Sequence, residues 1–443
     1  MSRLVRQLLC AGTAAALFAG SAGAQLLPSV QLPGIGLPLP NNVPVAGPVL
    51  DNILGEPEVR QAIRPTLDSV GGLTERAAES GPATLLQIRR LRLQELIRSN
   101  RAIVESDGSG IPVRRGIVAI VDPDPFGLQL ALRAGFRIAG EDRNPELGIR
   151  VVQLAVPAGL SARAGLRLLD RVAPQLNADF DHLFEPAGGS LAPLSAALAV
   201  SSGAGGGKVV GMVDGAVASH PSLAGKSIEQ NGFAGAPKPT GHGTAVASLL
   251  VGSHGPFRGA AAGARLFVAD VYGGNRAAGS ATTLVRALSW LAGKRPQVIN
   301  VSLVGPPNKL VQRAIQQLHA RGIEVVAAVG NDGPAAPPQY PASYPGVLSV
   351  TAVDRNGRAL PEAGRAAHID FAAPGADMAA AIPGQGYARV RGTSFAAPLA
   401  AARLLVAGSP MRLAAEARPG RGRVGRGIVC GECRVEPRVV GAR

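Results

Sequence analysis

The sequence predicts an α/β protein in which a three-layer domain with a parallel sheet follows a small α+β unit of ferredoxin-like order. From residue 208 onward, short β-branched apolar runs alternate with helical stretches, as in a parallel sheet covered by helices on both faces. The preceding stretch, 115–186, has the element order β-α-β-β-α-β. Only 3% of the residues are aromatic, so Ala, Val, Leu and Ile are expected to fill both cores.

The chain begins with the pattern of a secretory signal peptide over residues 1–24. Arg3 and Arg6 form a positive start, an apolar stretch follows, and an A-x-A cleavage site ends at Ala24. The protein is therefore expected to be secreted or periplasmic, with no transmembrane segment once the signal is removed. An uncleaved signal that anchors the chain in the membrane is the alternative.

Residues 25–114 are predicted to form a Pro- and Gly-rich linker that ends in an amphipathic helix over 84–104. Leu and Ile recur in that helix at roughly helical spacing, between Arg and Gln residues. We expect the apolar face to pack on the next domain, and a membrane-surface role is the alternative.

The small unit, 115–186, is predicted from short elements of alternating character. Its expected strands and helices, with a polar turn at 141–145, are strands 116–121, 136–140, 149–156 and 179–184 and helices 125–134 and 161–169. A flexible joint over 187–207 follows, because Gly, Ser and Ala dominate there.

The larger domain is predicted over 208–429. Its expected elements are strands 209–213, 266–271, 298–301, 325–329 and 348–352 and helices 244–250, 282–291 and 310–320. In open parallel sheets, ligand sites lie beyond the carboxyl ends of the strands. Candidate chemistry is therefore sought at those ends.

The formal net charge of +15 raises the question of nucleic-acid binding. The basic residues are mostly Arg spread along the chain, without interleaved aromatic residues or a zinc-finger or RNA-binding signature. No specific nucleic-acid partner is expected, although weak affinity for acidic polymers or anionic surfaces stays open. In the basic tail, 430–443, Cys430 and Cys433 would be the only thiols after signal cleavage. A C-x-x-C disulfide fits that pair in an oxidising compartment.

Three polar residues stand where such a site would assemble. Asp214 directly follows an apolar strand, His242 begins a helix within G-H-G-T, and Ser394 begins another within G-T-S-F-A-A-P. Each alone could be a turn residue or a helix cap. Together they supply what a nucleophilic serine needs, which is a base and a carboxylate that orients the base.

These motifs resemble those of the subtilisin-like serine proteases, the subtilases, which carry Asp, His and Ser in this order. The resemblance covers about half of the chain, 208–429, and the intervals between the three residues are also family-like. It implies a subtilisin-like fold and a serine endopeptidase that works through an acyl-enzyme with broad specificity. It implies no required cofactor. Calcium, which some relatives use, lacks a convincing carboxylate loop here.

A fourth motif, A-A-V-G-N-D-G, places Asn331 at the position of the family's oxyanion-hole asparagine. A structural asparagine in an N-D-G turn is the alternative. The resemblance also implies substrate-binding residues in two short runs, namely Ser302, Leu303, Val304, Gly305, Ala328, Val329 and Gly330. The first run would pair with an extended peptide backbone, and the second would line the pocket before the scissile bond.

The resemblance further makes 115–186 a pro-domain that inhibits the enzyme intramolecularly until it is cut, with cleavage expected near 184–189. A separate binding module is the alternative for this unit. Gly215 stands where the family commonly has Ser or Thr, which puts one hydrogen bond to Asp214 in doubt. For the whole chain, the rival hypotheses are a catalytically silent peptide-binding relative and a cell-surface interaction protein.

Overall fold

The computed structural model describes residues 81–187, 199, 201–202, 207–384 and 386–442. These residues all belong to one compact unit, 65–443. The predicted signal peptide, the linker before residue 81 and most of the joint lie outside the described residues.

The amphipathic helix predicted over 84–104 is α1 (Pro82–Ser99), which has proline in its first turn and ends at Ser99, before the strand that begins at Val104. Its buried residues include Leu85 and Leu96. Leu96 packs in a small cluster with Leu183 and Ala277, so the apolar side of the helix packs on protein.

The small unit has the predicted order of elements in an antiparallel sheet with strand order β5-β2-β4-β3. Its elements are β1 (Val104–Ser106), β2 (Pro112–Val121), α2 (Pro125–Arg133), β3 (Arg137–Asn144), β4 (Ile149–Ala155), α3 (Ala162–Val172) and β5 (Asp179–His182). The helices begin where Asp124 and Ser161 accept hydrogen bonds from backbone N–H groups of the first turn. An apolar core separate from that of the larger domain lies between these helices and the sheet.

Two boundaries in this unit differ from prediction. The sheet includes β1 and the start of β2, so the unit begins before residue 115. Strand β3 includes residues 141–144 of the predicted turn, and the turn follows at 145–148. This strand lies at the edge of the sheet, and within it only Asn144 is buried, so polar residues can occupy it.

The larger domain is the predicted three-layer α/β fold. The elements that follow the small unit in the chain are β6 (Glu185–Pro186), β7 (Ser201–Ser202), β8 (Val209–Asp214), β9 (Ser227–Gly232), α4 (Gly241–Val251), β10 (Ser253–His254), β11 (Phe257–Arg258), β12 (Arg265–Asp270), α5 (Ala281–Gly293), β13 (Val298–Val301), β14 (Leu303–Val304), α6 (Lys309–Ala320), β15 (Glu324–Ala328), β16 (Val347–Val353), β17 (Phe371–Pro374), β18 (Met378–Ile382), β19 (Gly386–Val390), α7 (Thr393–Ala407) and α8 (Pro410–Ala415). The main sheet has the order β17-β16-β15-β13-β8-β12-β9-β7, parallel except for the edge strand β7. Helix α4 packs against α7, and α5 packs against α6.

The carboxyl-terminal residues pack on this domain. The Ala379 N–H of β18 donates a hydrogen bond of 2.9 Å to the Val435 carbonyl, and Pro437 is buried. The basic tail thus packs on the larger domain through Val435 and Pro437. Among the described helices, none combines the length and the apolar character that crossing a membrane requires.

Candidate active site

Asp214 and His242 form a hydrogen-bonded pair at the carboxyl end of the main sheet. Asp214 is the last residue of β8, and His242 lies in the first turn of α4. His242 Nδ1 lies 2.9 Å from both carboxylate oxygens of Asp214, and both side chains are buried. With the Nδ1 proton donated to the carboxylate, Nε2 is left with a lone pair that can accept a proton.

The backbone around this pair explains the glycines of the motif. Thr240 caps α4 by accepting a hydrogen bond of 3.0 Å from the Gly243 N–H. A Cβ on Gly243 would lie 2.3 Å from the Gly215 carbonyl oxygen, so only glycine permits this approach of helix to strand end. The position of His242 beside Asp214 therefore depends on residues that carry no chemistry.

Position 215, directly after Asp214, has no room for a side chain, because Thr240 occupies the space where one would lie. A Cβ on Gly215 would lie 2.6 Å from Thr240 Oγ1 and 2.7 Å from its Cγ2. Asp214 Oδ1 nevertheless accepts a hydrogen bond of 2.7 Å from the Gly215 N–H. The carboxylate is thus held by both the imidazole and the backbone.

Ser394 is the second residue of α7 and is fully buried. Its carbonyl accepts a hydrogen bond of 3.0 Å from Ser302 Oγ. The ring of the next residue, Phe395, lies 5.3 Å from the His242 ring, centroid to centroid. Among the described residues, Ser394 Oγ and His242 Nε2 are both buried atoms without a hydrogen-bond partner. The two atoms that would exchange a proton in serine catalysis are thus both unpaired.

Asn331 lies beside the start of α7. Its Oδ1 accepts a hydrogen bond of 2.9 Å from the Thr393 N–H, and its Nδ2 donates one to the Ala187 carbonyl. A Cβ on Gly392 would lie 2.7 Å from Nδ2, so the glycine leaves room for the amide. The Asn331 amide is therefore held by the backbone of Thr393, the residue before Ser394, and donates an N–H to the Ala187 carbonyl.

That carbonyl belongs to residues 183–187, called here the cleft strand, which lies between two edges of the larger domain. On one side β6 pairs antiparallel with β14, and the Ala187 N–H donates a hydrogen bond of 2.9 Å to the Ser302 carbonyl. On the other side the Phe184 N–H donates one of 2.7 Å to the Gly279 carbonyl. An extended peptide is thus held through its backbone on both sides.

The predicted substrate-binding runs flank the cleft strand to different degrees. Ser302, Leu303 and Val304 pair with it directly, and a Cβ on Gly305 would lie 2.5 Å from the Phe184 ring. Ala328 and Val329 are fully buried, whereas a Cβ on Gly330 would lie 3.2 Å from Val304 Cγ1. Gly330 therefore adjoins the strand edge, and the pocket role of this second run stays a prediction.

The opposite edge, at Gly279 and Ser280, was not predicted. Leu183 forms a β-bridge to Ser280, which also caps α5. The sequence signal at Ser280 is only that of a helix cap, because the pairing joins segments far apart in the chain.

Charged side chains around the cleft strand form a connected, largely buried group. Glu185 accepts hydrogen bonds from Arg276 at 3.0 Å and from Arg92 at 3.2 Å. Asp332, next to Asn331, pairs with Arg92 at 3.0 Å and with Arg89 at 3.1 Å. Burial alone would raise the pKa of Glu185, but the charges of Arg92 and Arg276 outweigh it and hold that pKa below its usual value.

A second buried carboxylate, Asp270, lies beside Asp214 in register on the neighbouring strand β12. It accepts hydrogen bonds of 2.9 to 3.0 Å from the backbone N–H groups of Lys238, Tyr272 and Gly273. Burial, with a contribution from the Asp214 charge, raises the pKa of Asp270. Its contacts are to backbone, so it shapes the loops at this edge.

The remaining expectations concern the cysteine pair and a metal site. The sulfur atoms of Cys430 and Cys433 are joined in a disulfide. Within the part of the chain that the structure describes, no group of three or more His, Cys, Asp and Glu side chains has a geometry that could hold a metal ion.

Comparisons with known proteins indicate the family of the chain. Residues 205–409 match the subtilase family, Peptidase_S8. Subtilisin Savinase of Lederbergia lenta is 33% identical over 199 residues, which cover 44% of this chain and 73% of that protein. An alkaline protease of Alkalihalobacillus alcalophilus is 33% identical over 199 residues, 44% of this chain but only 52% of that protein.

Among solved structures, fervidolysin from Fervidobacterium pennivorans, a keratinolytic enzyme related to subtilisin, superimposes with a TM-score of 0.59 at 19% identity. The superposition covers 72% of this chain and 61% of that one. At this identity the likeness concerns the fold alone.

Proposed function

The chain belongs to the subtilase family, and we propose that it is an exported serine endopeptidase that is made in a latent form. The observation that carries the proposal is the hydrogen bond from Asn331 Nδ2 to the Ala187 carbonyl. It is the contact an oxyanion donor makes with a peptide about to be cut, and it involves the chain's own strand.

The proposed reaction is two-step acyl transfer. His242 Nε2 takes the proton of Ser394 Oγ, and that oxygen attacks the peptide carbonyl carbon. Asp214 keeps the imidazole oriented and stabilises its cation. Asn331 Nδ2 and the Ser394 N–H would hold the oxyanion of the tetrahedral intermediate. His242 then gives its proton to the leaving amine, and water releases the acyl group from Ser394 by the same route.

The latent form is supported by the cleft strand. Its pairing with β14 and its contact with Asn331 support Ala187 as the residue before the scissile bond. The first cut is therefore proposed at the bond between Ala187 and Gly188. This lies within the stretch 184–189 that the sequence predicts. The unit before it would then remain as a product inhibitor until it dissociates or is degraded.

Broad specificity is supported by the way the strand is held. Backbone hydrogen bonds on two edges recognise any extended peptide and read little of its sequence. The side chains in place are small at Ala187 and aromatic at Phe184, where Gly305 leaves room for the ring. We therefore propose a preference for a small or apolar residue before the cut and for a bulky apolar residue three positions earlier.

Export is supported by the signal motif, which lies outside the described residues, and by the disulfide between Cys430 and Cys433. The proposal is that the mature enzyme is secreted or periplasmic, acts on protein or peptide substrates and needs no cofactor for the acyl-transfer steps.

Hydrolysis of a denatured protein by the purified chain, compared with its Ser394→Ala variant, tests the activity. We expect cleavage by the first and none by the second. Equal cleavage by both would remove Ser394 from the mechanism. If neither cleaves, the chain is first treated with trypsin, which cuts after Arg and can release the unit before the cleft, and is then labelled with a fluorophosphonate. Labelling at Ser394 then marks an activated serine and a latent enzyme, and no labelling marks a silent peptide-binding relative.

A further inference from the structure

Helix α1 precedes the unit that resembles a pro-domain, yet it contacts the catalytic machinery directly. Leu85 packs on Gly333, two residues after Asn331. The contact is close, since a Cβ on that glycine would lie only 2.7 Å from Leu85 Cδ1. Near the other end of the helix, Leu96 packs with Leu183 and Ala277. The helix therefore contacts the loop that carries Asn331, the cleft strand and the opposite edge of the cleft.

The charges show why the helix matters to the cleft strand. Glu185 and Asp332 are both buried. Among the ion pairs seen for these two carboxylates in the described part of the chain, the one from Arg276 to Glu185 does not come from α1, and those of Asp332 come from Arg89 and Arg92. Arg89 and Arg92 add two positive charges, and Arg92 touches both carboxylates. Burial would lower the pKa of Arg92, but Asp332 and Glu185 outweigh it and raise that pKa. A buried carboxylate without a partner is strongly disfavoured, so the strand and the loop depend on the helix for their charge balance.

We propose that α1 is a latch, which holds the cleft strand in the active site both before and after the Ala187–Gly188 bond is cut. The latch consists of Arg89 and Arg92, which bind Glu185 and Asp332, together with the apolar contacts of Leu85 and Leu96. The part of this proposal that concerns cleavage rests on the proposed function. The docking of α1 on the cleft strand does not.

The docking is tested in the full chain carrying Ser394→Ala, which removes self-cleavage. Hydrogen–deuterium exchange is measured on peptides that span 183–187, where the Phe184 and Ala187 amides donate to Gly279 and Ser302. With Arg92→Gln added, the latch predicts at least tenfold faster exchange at these amides. Exchange in β2 should stay unchanged, which shows that the small unit remains folded.

Arg90→Gln is the matched control, because Arg90 is exposed on the same helix. It should leave exchange at 183–187 as in the parent. If Arg92→Gln unfolds the chain, Leu85→Ala is the second variant and should also speed exchange at the cleft strand. Unchanged exchange in a folded Arg92→Gln or Leu85→Ala chain would overturn the proposal, and so would an equal increase with Arg90→Gln.

The consequence for latency is tested with Ser394 intact. The delay between cleavage of the chain and the appearance of peptidase activity should be at least tenfold shorter with Arg92→Gln than with Arg90→Gln. Equal delays would overturn the latch. If the parent shows neither cleavage nor activity, the proposed function fails, and the exchange experiment still decides whether the helix holds the strand.

Discussion

The substitution Gly215→Ser, which would introduce a residue common in the family, should destabilise this protein. The Cβ would lie 2.6 Å from Thr240 Oγ1 and 2.7 Å from Thr240 Cγ2. Carbon atoms in contact normally lie about 3.5–4.0 Å apart, so Thr240 has to move by most of an ångström. Thr240 cannot move away without weakening its hydrogen bond of 3.0 Å with the Gly243 N–H, which caps the helix that carries His242.

The two costs can be estimated separately. Inserting atoms into a packed interior costs about 1–3 kcal/mol, and loss of a helix cap costs about 1 kcal/mol. We therefore expect Gly215→Ser to lower the free energy of unfolding by about 2–4 kcal/mol, the sum of these terms. Urea unfolding of the chain carrying Ser394→Ala measures this loss without self-digestion.

Two further variants isolate the cause. Thr240→Gly removes the clashing atoms, and glycine replaces a cap residue at a cost of only a few tenths of a kcal/mol. The double variant with Gly215→Ser should therefore recover most of the loss. Gly241→Ala is the control, because a Cβ there has no neighbour within 4 Å. A Gly215→Ser chain as stable as its parent, or a double variant with no recovery, would refute the role assigned to Thr240.

Two other predictions concern the chemistry and the docking of the small unit. Asn331→Ala should lower kcat by about 10²–10³ with little change in KM, which is the general cost of losing one oxyanion donor and not a value worked from this structure. Steady-state kinetics on a peptide substrate measure this loss. An unchanged kcat would contradict the role of Asn331 as an oxyanion donor. Burial lowers the pKa of His182 despite the nearby carboxylates of Asp179, Asp107 and Asp181, and His182 Nδ1 lies 3.1 Å from Asn308 Nδ2. The folded chain resists protonation of this histidine, so stability should be steady above the usual histidine pKa of about 6.5 and fall as the pH drops from there towards the lower folded pKa. Thermal unfolding of the Ser394→Ala chain between about pH 8 and 5 measures that fall, and a His182→Gln variant that keeps the full pH dependence would contradict it.

The parts of the fold that could be predicted from the sequence are those set by neighbouring residues. Asp214 ends an apolar strand, and Ser394 opens an Ala-rich helix, so both could be placed at the edge of the sheet before any contact was known. Asn331 followed from a local motif. The five central strands predicted for the larger domain likewise followed from the alternation of short apolar runs, whereas strands β9 and β17 and the hairpin of β18 and β19 were not predicted.

The cleft strand and the latch depend on distant pairs. Arg92 and Asp332 are 240 residues apart, and no local pattern marks either as a partner of the other. Gly215 was predicted to weaken the support of Asp214, and the structure instead relates it to Thr240, a residue of another segment. The edge strand β3 was predicted too short because its polar, mostly exposed residues resemble those of a turn.

Ser394 is proposed to cut the chain's own strand, with the Ala187 carbonyl held by Asn331. Sequencing of the amino terminus of the purified chain tests this most directly, with the Ser394→Ala chain alongside. We predict a new amino terminus at Gly188 in the parent and an uncut 187–188 bond in the variant. A parent chain that stays uncut at this bond, or a variant that is cut there equally, would contradict the claim.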